Sequence, residues 1–200
     1  LLAWIAPLAP LAWIAPVAPF AWFGPVALRG SDSRPGPEPW ILALDVGQGD
    51  ATAVRIPGGG VLLVDAGPRT DSRDEGRLAV EPALRAEGIT RVDLALLSHA
   101  HLDHHGGFPW LAGRGWIGRL CENGSDPRGS WRRSLARGSS HPGSVVFPLC
   151  ADTLLGWGDG ATIRVLAAER RLPADPNSNA AENNRSLVAT LRTGRGAICF

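Results

Sequence analysis

The hydrophobic and polar positions divide the chain into an apolar leader, a short linker and a mixed region. Residues 1–28 carry no charge and repeat with a nine-residue period, as LAWIAPLAP, LAWIAPVAP and FAWFGPVAL. This run exceeds the roughly 20 apolar residues that span a bilayer as a helix. Its five prolines oppose a regular helix, although membrane helices tolerate proline when neighbouring helices satisfy the freed groups. We therefore expect residues 1–29 to be the end of a membrane region rather than a soluble low-complexity leader.

Residues 30–39, GSDSRPGPEP, have the composition of a linker, because Gly, Pro and Ser dominate and no apolar period continues. The folded domain is expected to begin near Trp40 and to occupy residues 40–200. The chain contains no Met, including at position 1. We expect it to be a fragment of a longer protein, with this domain incomplete.

From Trp40 onward, short apolar runs separated by Gly-rich turns predict a mixture of strands and helices. Helices are predicted at 77–87, ending at Gly88, and around 106–113. The Gly-, Ser- and Arg-rich stretch 114–144 is predicted to be a long loop with little regular structure. Strands preceding and following helices indicate a layered α/β architecture, with the sheet sandwiched by helices. The predicted strands are 41–46, 51–56, 61–66, 92–98, 145–149, 161–167, 186–192 and 196–200.

Charge and cysteine content narrow the function classes. The net charge of +1 excludes a strong overall field that would collect polyanions. All twenty basic residues are Arg, which we interpret as genomic composition bias. Three widely spaced cysteines (Cys121, Cys150 and Cys199) form no C-x-x-C pair, so neither a disulfide framework nor a cysteine zinc site is indicated. They are predicted to be free thiols.

The segment SHAHLDHHGG, residues 98–107, holds four of the five histidines and is called the metal motif below. His99 and His101 are two residues apart, so their side chains point the same way in an extended segment. Asp103 and His104 follow once the chain has begun to turn, which aims them at a second, adjacent position. Imidazole nitrogen and carboxylate oxygen suit zinc or manganese. The motif therefore predicts a centre with two divalent metal ions.

The motif also follows a strand predicted to be buried, the context that such a motif requires, and this favours a metal centre over a His-rich polar loop. Asp103 is predicted to be both ligand and orienter of the attacking water, the catalytic role in hydrolysis. Gly106 and Gly107 are expected to let the backbone pass close to the metals. His105 is predicted to face outward as a non-ligand, and His141 to be a solvated loop residue.

Two further segments carry polar residues at turns. Asp65, in LLVDAGP, ends an apolar strand, and it is either an acceptor that orients a ligand histidine or a turn-forming Asp before Gly. The nearby histidine cluster favours the first interpretation. In DVGQGDA (45–51), the glycines form a tight turn that exposes Gln48 and Asp50, and no P-loop pattern follows. Turn chemistry alone also explains this segment.

In order and approximate spacing, LDVGQGDA, LLVDAG, LSHAHLDHHGG and ENNRSLVATL (182–191) resemble the metallo-β-lactamase-like domain of ComEC-type DNA-internalisation proteins of naturally competent bacteria. The resemblance covers about residues 40–200. It implies an αββα sandwich, of which this chain holds the first half to two-thirds. It also implies a multi-pass protein of the bacterial inner membrane that passes single-stranded DNA and works with other competence proteins. The domain is then suspected of degrading the strand that is not transported.

Carried over by position, Asp65 matches the family's first motif, and His99, His101, Asp103 and His104 match its second. Asp45, Gln48 and Asp50 belong to the specific DVGQGDA segment, at the rim of the implied site. Asn183, Asn184 and Ser186 stand where related hydrolases often carry a third metal-binding histidine, or simply form a polar turn that opens a strand. The chain stops before a Gly-Asp pair of the family whose Asp bridges the metals, so the fragment is expected to be inactive or to bind one metal weakly.

Three functions remain open from the sequence. The first is a metal-dependent nuclease or phosphodiesterase of a DNA-uptake channel; the second is a hydrolase of thioesters or lactams with no nucleic-acid substrate; the third is a non-catalytic structural module of the channel. Six Arg residues between Arg114 and Arg137, interleaved with Trp116 and Trp131, could track a single strand through phosphate contacts and stacking. A flexible, solvated Arg-rich loop is the favoured interpretation of that stretch.

Overall fold

The computed structural model of the protein describes most of the region after the linker. The apolar leader and the linker up to residue 38 lie outside the described residues, as do Cys150 and His141. None of the described helices is long and apolar enough to cross a bilayer. The described residues are 39–124, 126, 130–138, 146–149, 153–157, 160–166, 181, 183–194 and 196–200.

Within the described residues, the first sheet has six strands, paired in chain order from β1 to β6. The first three strands form an antiparallel meander, and β3, β4, β5 and β6 run parallel to one another. Parallel neighbours bring the carboxyl ends of β3, β4 and β5 to one edge of the sheet. The strands are β1 (Trp40–Ala43), β2 (Thr52–Arg55), β3 (Val61–Val64), β4 (Leu94–Leu96), β5 (Leu120–Glu122) and β6 (Val146–Pro148).

The second sheet is antiparallel and has four strands in the order β10-β9-β8-β7. Its longest pairing joins β8 and β9, with Ile163 opposite Leu191 and Val165 opposite Ala189. These four side chains are buried, while their neighbours along the strands are more exposed. The sheet therefore presents one apolar face. Its strands are β7 (Leu154–Gly156), β8 (Thr162–Leu166), β9 (Val188–Thr193) and β10 (Gly196–Cys199).

Helices cover one face of the first sheet. A π-helical turn, Gly76–Val80, continues directly into α1 (Glu81–Ala86), so Pro82 lies inside one helical run, close to the change from π-helical to α-helical turns. The remaining helices are α2 (Leu102–His105), α3 (Phe108–Gly113) and α4 (Ser130–Gly138).

Two apolar clusters lie on opposite faces of the first sheet. Ala95 of β4 packs with residues of the helices, such as Leu84 and Phe108, in the first cluster. Leu94 and Leu96, its neighbours on the same strand, pack with the second sheet in the other. Alternate side chains of a strand point to opposite faces, so β4 contributes to both cores. The described residues thus form helix, sheet and sheet layers, the layered α/β architecture predicted from the sequence.

The structure confirms the predicted helices and strands to within a few residues, but the prediction of a structureless stretch at 114–144 was wrong. That stretch contains β5 and α4. Trp131 and Leu135 lie one helical turn apart on α4 and are both buried, while Arg132 and Arg133 beside them are exposed. The polar composition of this stretch does not indicate the helix, because only two apolar residues, four apart, form its buried face. Strand β7 was also missed.

The described cysteines are free thiols, as predicted. Cys121 is buried between the two sheets, and burial raises the pKa of its thiol to about 12. It behaves as a small apolar core residue. Cys199 is exposed on β10.

Candidate metal centre

The metal motif begins where β4 ends, at the carboxyl edge of the parallel strands. His101 still has extended backbone angles, and α2 starts at the next residue. This single helical turn brings His104 back beside His99, with their ring centroids 4.0 Å apart. The rings of His99 and His101 lie edge to face at 4.7 Å. The three imidazoles are therefore gathered at one point at the end of a buried strand.

Asp65 ties the motif to the end of β3. Its Oδ1 accepts a hydrogen bond from the backbone N–H of Ser98 at 2.8 Å. Its Oδ2 accepts from the hydroxyl of Ser98 at 2.6 Å and lies 2.8 Å from Nδ1 of His104. The residue is 3% exposed and has a φ of 57°, the only positive φ of a non-glycine residue in the described ranges. A buried carboxylate held in an uncommon backbone conformation matches an orienting role better than an ordinary turn.

The hydrogen-bond partners of His99 and His104 determine which ring nitrogen of each carries the proton. Because Asp65 accepts only, Nδ1 of His104 must carry the proton that the two groups share. The one hydroxyl proton of Ser98 is given to Asp65, so the 2.9 Å contact between Ser98 Oγ and His99 Nδ1 requires His99 to donate. Both rings then keep the lone pair on Nε2, the atom left for a metal. Ser98 was not singled out from the sequence, although it directly precedes the first histidine.

The donor set of the motif fits a divalent metal ion. Nε2 of His104 lies 3.8 Å from Oδ2 of Asp103, a separation that one zinc ion with bonds of about 2.0–2.2 Å to each atom can span. Among the described residues, however, no three His, Cys, Asp or Glu side chains already have their donor atoms placed around a common point. The rings converge, while the donor atoms are not in coordinating positions. Metal ligation by His99, His101, Asp103 and His104 therefore stays a prediction.

The electrostatics of the site favour a cation. Burial, followed by the neighbouring charge of His104, lowers the pKa of His99 to about 4, which keeps this ring in the neutral form that binds metals. Burial also lowers the pKa of His104, but the hydrogen bond and negative charge of Asp65 outweigh it, and the pKa ends above its ordinary value. A position at which carboxylates stabilise a proton on His104 also stabilises other positive charge.

The DVGQGDA loop lies directly against the metal motif. A side chain at Gly49 would approach the backbone oxygen of Asp103 to 2.2 Å, so only glycine fits there. The N–H of Asp50 is 3.4 Å from that same oxygen, and its carboxylate Oδ2 is 3.8 Å from Nδ1 of His104. Asp45 accepts from the N–H of Gly47 at 3.2 Å and shapes the turn. Gln48 and Asp50 are exposed, as predicted, at the rim of the site.

Gly106 and Gly107 have a different role from the one predicted. A side chain at Gly106 would lie 2.3 Å from the backbone nitrogen of Arg69, and one at Gly107 would lie 2.3 Å from the backbone oxygen of Ala66. The close approach is therefore to the loop after Asp65, not to the metal position. These contacts fix α2 against the end of β3.

The polar turn before β9 also reaches the motif. The N–H of Leu187 donates to the backbone oxygen of Ser98 at 2.7 Å. Ser186 donates through both its N–H and its hydroxyl to the oxygen of Asn183, which closes a turn. Asn183 and Asn184 are exposed on that turn. The structure thus brings this segment beside the metal motif and shows the turn; a ligand role for its side chains stays a prediction.

One expectation and one alternative interpretation from the sequence were wrong. His105 does not face outward: it is 4% exposed, and its ring centroid lies 5.9 Å from that of Trp131 on α4. Burial lowers the pKa of His105 to about 4, so it acts as a neutral core residue. Trp116 and Trp131 are both buried, so neither offers a face on which a base could stack. An amphipathic helix buries its aromatic residue and exposes its arginines.

The chain also matches a protein-family model. The family model described as the Metallo-beta-lactamase superfamily matches residues 44–177, two-thirds of the chain, and that span includes the whole metal motif. The chain belongs to the metallo-beta-lactamase superfamily. This superfamily consists of metal-dependent hydrolases whose members typically bind zinc or iron. No significant match is found among curated protein sequences.

Three solved structures are similar to this chain over part of their length. CmlA, a diiron beta-hydroxylase from Streptomyces venezuelae, superposes with a TM-score of 0.51 at 21% identity, over 84% of this chain and 30% of CmlA. Zn(2+)-bound PqqB from Methylobacterium extorquens gives 0.49 at 15% identity, over 75% and 51% of the two chains. YhfI from Bacillus subtilis, a metallo-beta-lactamase fold protein, gives 0.46 at 14%, over 80% and 61%. The fold is the α/β metallo-beta-lactamase fold, and the chain spans 30–61% of these structures.

Proposed function

We propose that this chain is the metal-dependent hydrolase domain of a DNA-uptake channel protein and that it acts on phosphodiester bonds of DNA. The observation that carries the proposal is the position of the two most specific segments of the ComEC resemblance. DVGQGDA packs on the backbone of Asp103, and the turn of ENNRSLVATL is hydrogen-bonded to Ser98. Residues that distinguish this resemblance within the superfamily therefore flank the metal motif, where substrate specificity is determined.

The residues proposed to hold two divalent metal ions, zinc or manganese, are His99, His101, Asp103 and His104. Such ions supply Lewis-acid chemistry, because they polarise the bond to be cleaved and lower the pKa of water. Asp103 is proposed to be both a ligand and the group that orients the attacking water. Its side chain is 43% exposed, so water reaches it.

The remaining residues of the chain position these groups. Asp65 and Ser98 fix the neutral tautomers of His104 and His99 in which Nε2 carries the lone pair. Asp45 shapes the loop that presents Asp50 and Gln48 at the rim, and the loop's backbone contact with Asp103 links the two segments.

The cellular setting is proposed from the resemblance and from residues 1–29, whose apolar repeat suits a membrane region. The parent protein is then a multi-pass protein of the bacterial inner membrane. Single-stranded DNA is its substrate, and other competence proteins are its partners.

The activity is tested on the full-length protein loaded with zinc or manganese. We expect cleavage of labelled single-stranded DNA, and we expect His99→Ala to lower the rate by at least about 100-fold, because one metal site loses a ligand. Glu87→Gln, an exposed change at the end of α1, is the matched control and should keep the wild-type rate. Equal cleavage by wild type and His99→Ala would contradict the nuclease proposal.

The same assay distinguishes the alternatives. Hydrolysis of thioesters or lactams without DNA cleavage would identify a hydrolase with no nucleic-acid substrate. Metal binding without cleavage of any ester would identify a non-catalytic module.

A further inference from the structure

A groove lies beside the metal motif and is called the arginine groove below. It has a volume of about 620 Å³, within the range of roughly 300–1,000 Å³ that is usual for ligand sites. None of its lining residues is a proposed metal ligand. They are Arg69, Thr70, Asp71, Leu102, Ser134 and Arg137.

The groove touches the metal motif at one residue, Leu102. This residue opens α2, immediately precedes Asp103 and is 53% exposed, which is unusual for a leucine in a packed region. On the same helix, Gly106 packs on the backbone nitrogen of Arg69. Leu102 and the backbone of Arg69, which both line the groove, are therefore held next to the motif that is predicted to bind the metals.

The first wall is an ordered turn. Arg69 and Asp74 form an antiparallel bridge, and Thr70 N–H donates to the oxygen of Arg73 at 2.7 Å. Nε of Arg69 lies 3.4 Å from a carboxylate oxygen of Asp74. The terminal guanidinium nitrogens of Arg69 make no hydrogen bond to any other described residue, so they remain available to a ligand.

The second wall is α4, which is anchored from below. Trp131 is fully buried, and its indole N–H donates to Glu122 at 3.2 Å. Arg132 forms an ion pair with the same buried carboxylate. This anchor orients the helix so that Ser134 and Arg137, three and six residues after Trp131, line the groove. Arg137 is exposed and has no ion-pair or hydrogen-bond partner within the described ranges.

The charges of the lining favour an anion. Two guanidinium groups face one carboxylate, Asp71, and two hydroxyls add neutral donors. Guanidinium groups bind phosphate through paired N–H donors. Because the buried Trp116 and Trp131 offer no stacking face, recognition here depends on charge and hydrogen bonding.

We propose that the arginine groove binds a phosphate group of the substrate, with Arg69 and Arg137 contacting it from opposite walls. This inference rests on the proposed function, because the groove adjoins the metal motif at Leu102, the residue before Asp103, and the phosphate would belong to the substrate that is hydrolysed. The phosphate belongs either to a single-stranded nucleic acid or to a small phosphate ester.

The test measures binding rather than turnover, on the full-length protein with metal removed by a chelator. Fluorescence anisotropy follows a short labelled oligothymidylate, and thymidine 5′-monophosphate serves as the competitor. We expect Arg137→Ala and Arg69→Ala each to weaken oligothymidylate binding about two- to fivefold, as for exposed ion pairs. Each should also lower the slope of log Kd against log salt by about 0.7, the value for one lost phosphate contact on a single strand.

Arg133→Ala is the matched control, because Arg133 is exposed on the same helix but does not line the groove. Equal losses for Arg133→Ala and Arg137→Ala, unchanged binding in both groove variants, or no binding by the wild type would overturn the inference. Strong competition by thymidine 5′-monophosphate supports the groove as a site for small phosphate esters, and weak competition supports it as a site for a strand. If the groove variants lose binding and the wild-type protein hydrolyses no ester, the hydrolase proposal is rejected. The proposal that the groove binds phosphate is then still supported.

Discussion

Asp65→Asn is expected to weaken zinc binding by about 10- to 100-fold, the usual cost of losing a group that orients a metal-bound histidine. Three donors converge on this carboxylate: the N–H and hydroxyl of Ser98, and Nδ1–H of His104. An amide offers one acceptor oxygen, so its NH₂ group must face at least one of these donors. Either orientation of the amide opposes a donor, the N–H of Ser98 or the pair formed by the Ser98 hydroxyl and Nδ1–H of His104, and the negative charge that holds His104 is lost in both.

Zinc affinity is measured by competition with a chromophoric chelator on the full-length protein. Glu87→Gln removes an equal charge from an exposed position and should leave the affinity unchanged. The orienting role of Asp65 would be contradicted if Asp65→Asn bound zinc as tightly as the wild type while its circular dichroism spectrum was unchanged.

Trp131→Ala is expected to lower the free energy of unfolding by about 3–5 kcal/mol, the range for truncating a large buried aromatic residue. The side chain is fully buried among the helices, and its indole is a donor to the fully buried Glu122. Its loss leaves both a cavity and a less satisfied carboxylate. Since domains are stable by only about 5–15 kcal/mol, the change removes a large fraction of the total.

Urea denaturation measures this effect, as a lower midpoint at constant slope. Trp131→Phe keeps most of the apolar volume and should cost less than Trp131→Ala. A loss below about 1 kcal/mol for Trp131→Ala would show that α4 is not anchored through this residue.

The sequence predicted the parts of the fold that have a strong local pattern. The run VDLALLS is apolar except for Asp93 and its last residue, Ser98, and β4 is indeed buried on both faces. The turn glycines of DVGQGDA predicted an exposed Gln48 and Asp50, and the structure has them so. Both the burial of β4 and the exposure of these turn residues are determined by residues that are close in the sequence.

Features that depend on contacts between distant residues could not be predicted. Nothing near Trp131 in the sequence indicates that it contacts Glu122 and His105. The sequence therefore predicts a loop in place of α4 and an outward-facing His105. The pairing of Arg69 with Arg137 across one groove likewise requires the fold, because 67 residues separate them. The role of Ser98 depends on its hydrogen bond to Asp65 at the end of β3. Neither residue, taken alone in the sequence, indicates the chain of hydrogen bonds from Asp65 through Ser98 to His99.

Metal content, measured by inductively coupled plasma mass spectrometry on the full-length protein after incubation with zinc and removal of excess ion, tests the metal centre most directly. We predict two ions per wild-type chain and close to none in the His99→Ala/His104→Ala double variant, with the same circular dichroism spectrum. A wild-type protein that retains no metal, or a folded double variant that retains both ions, would contradict a metal centre at residues 99–104.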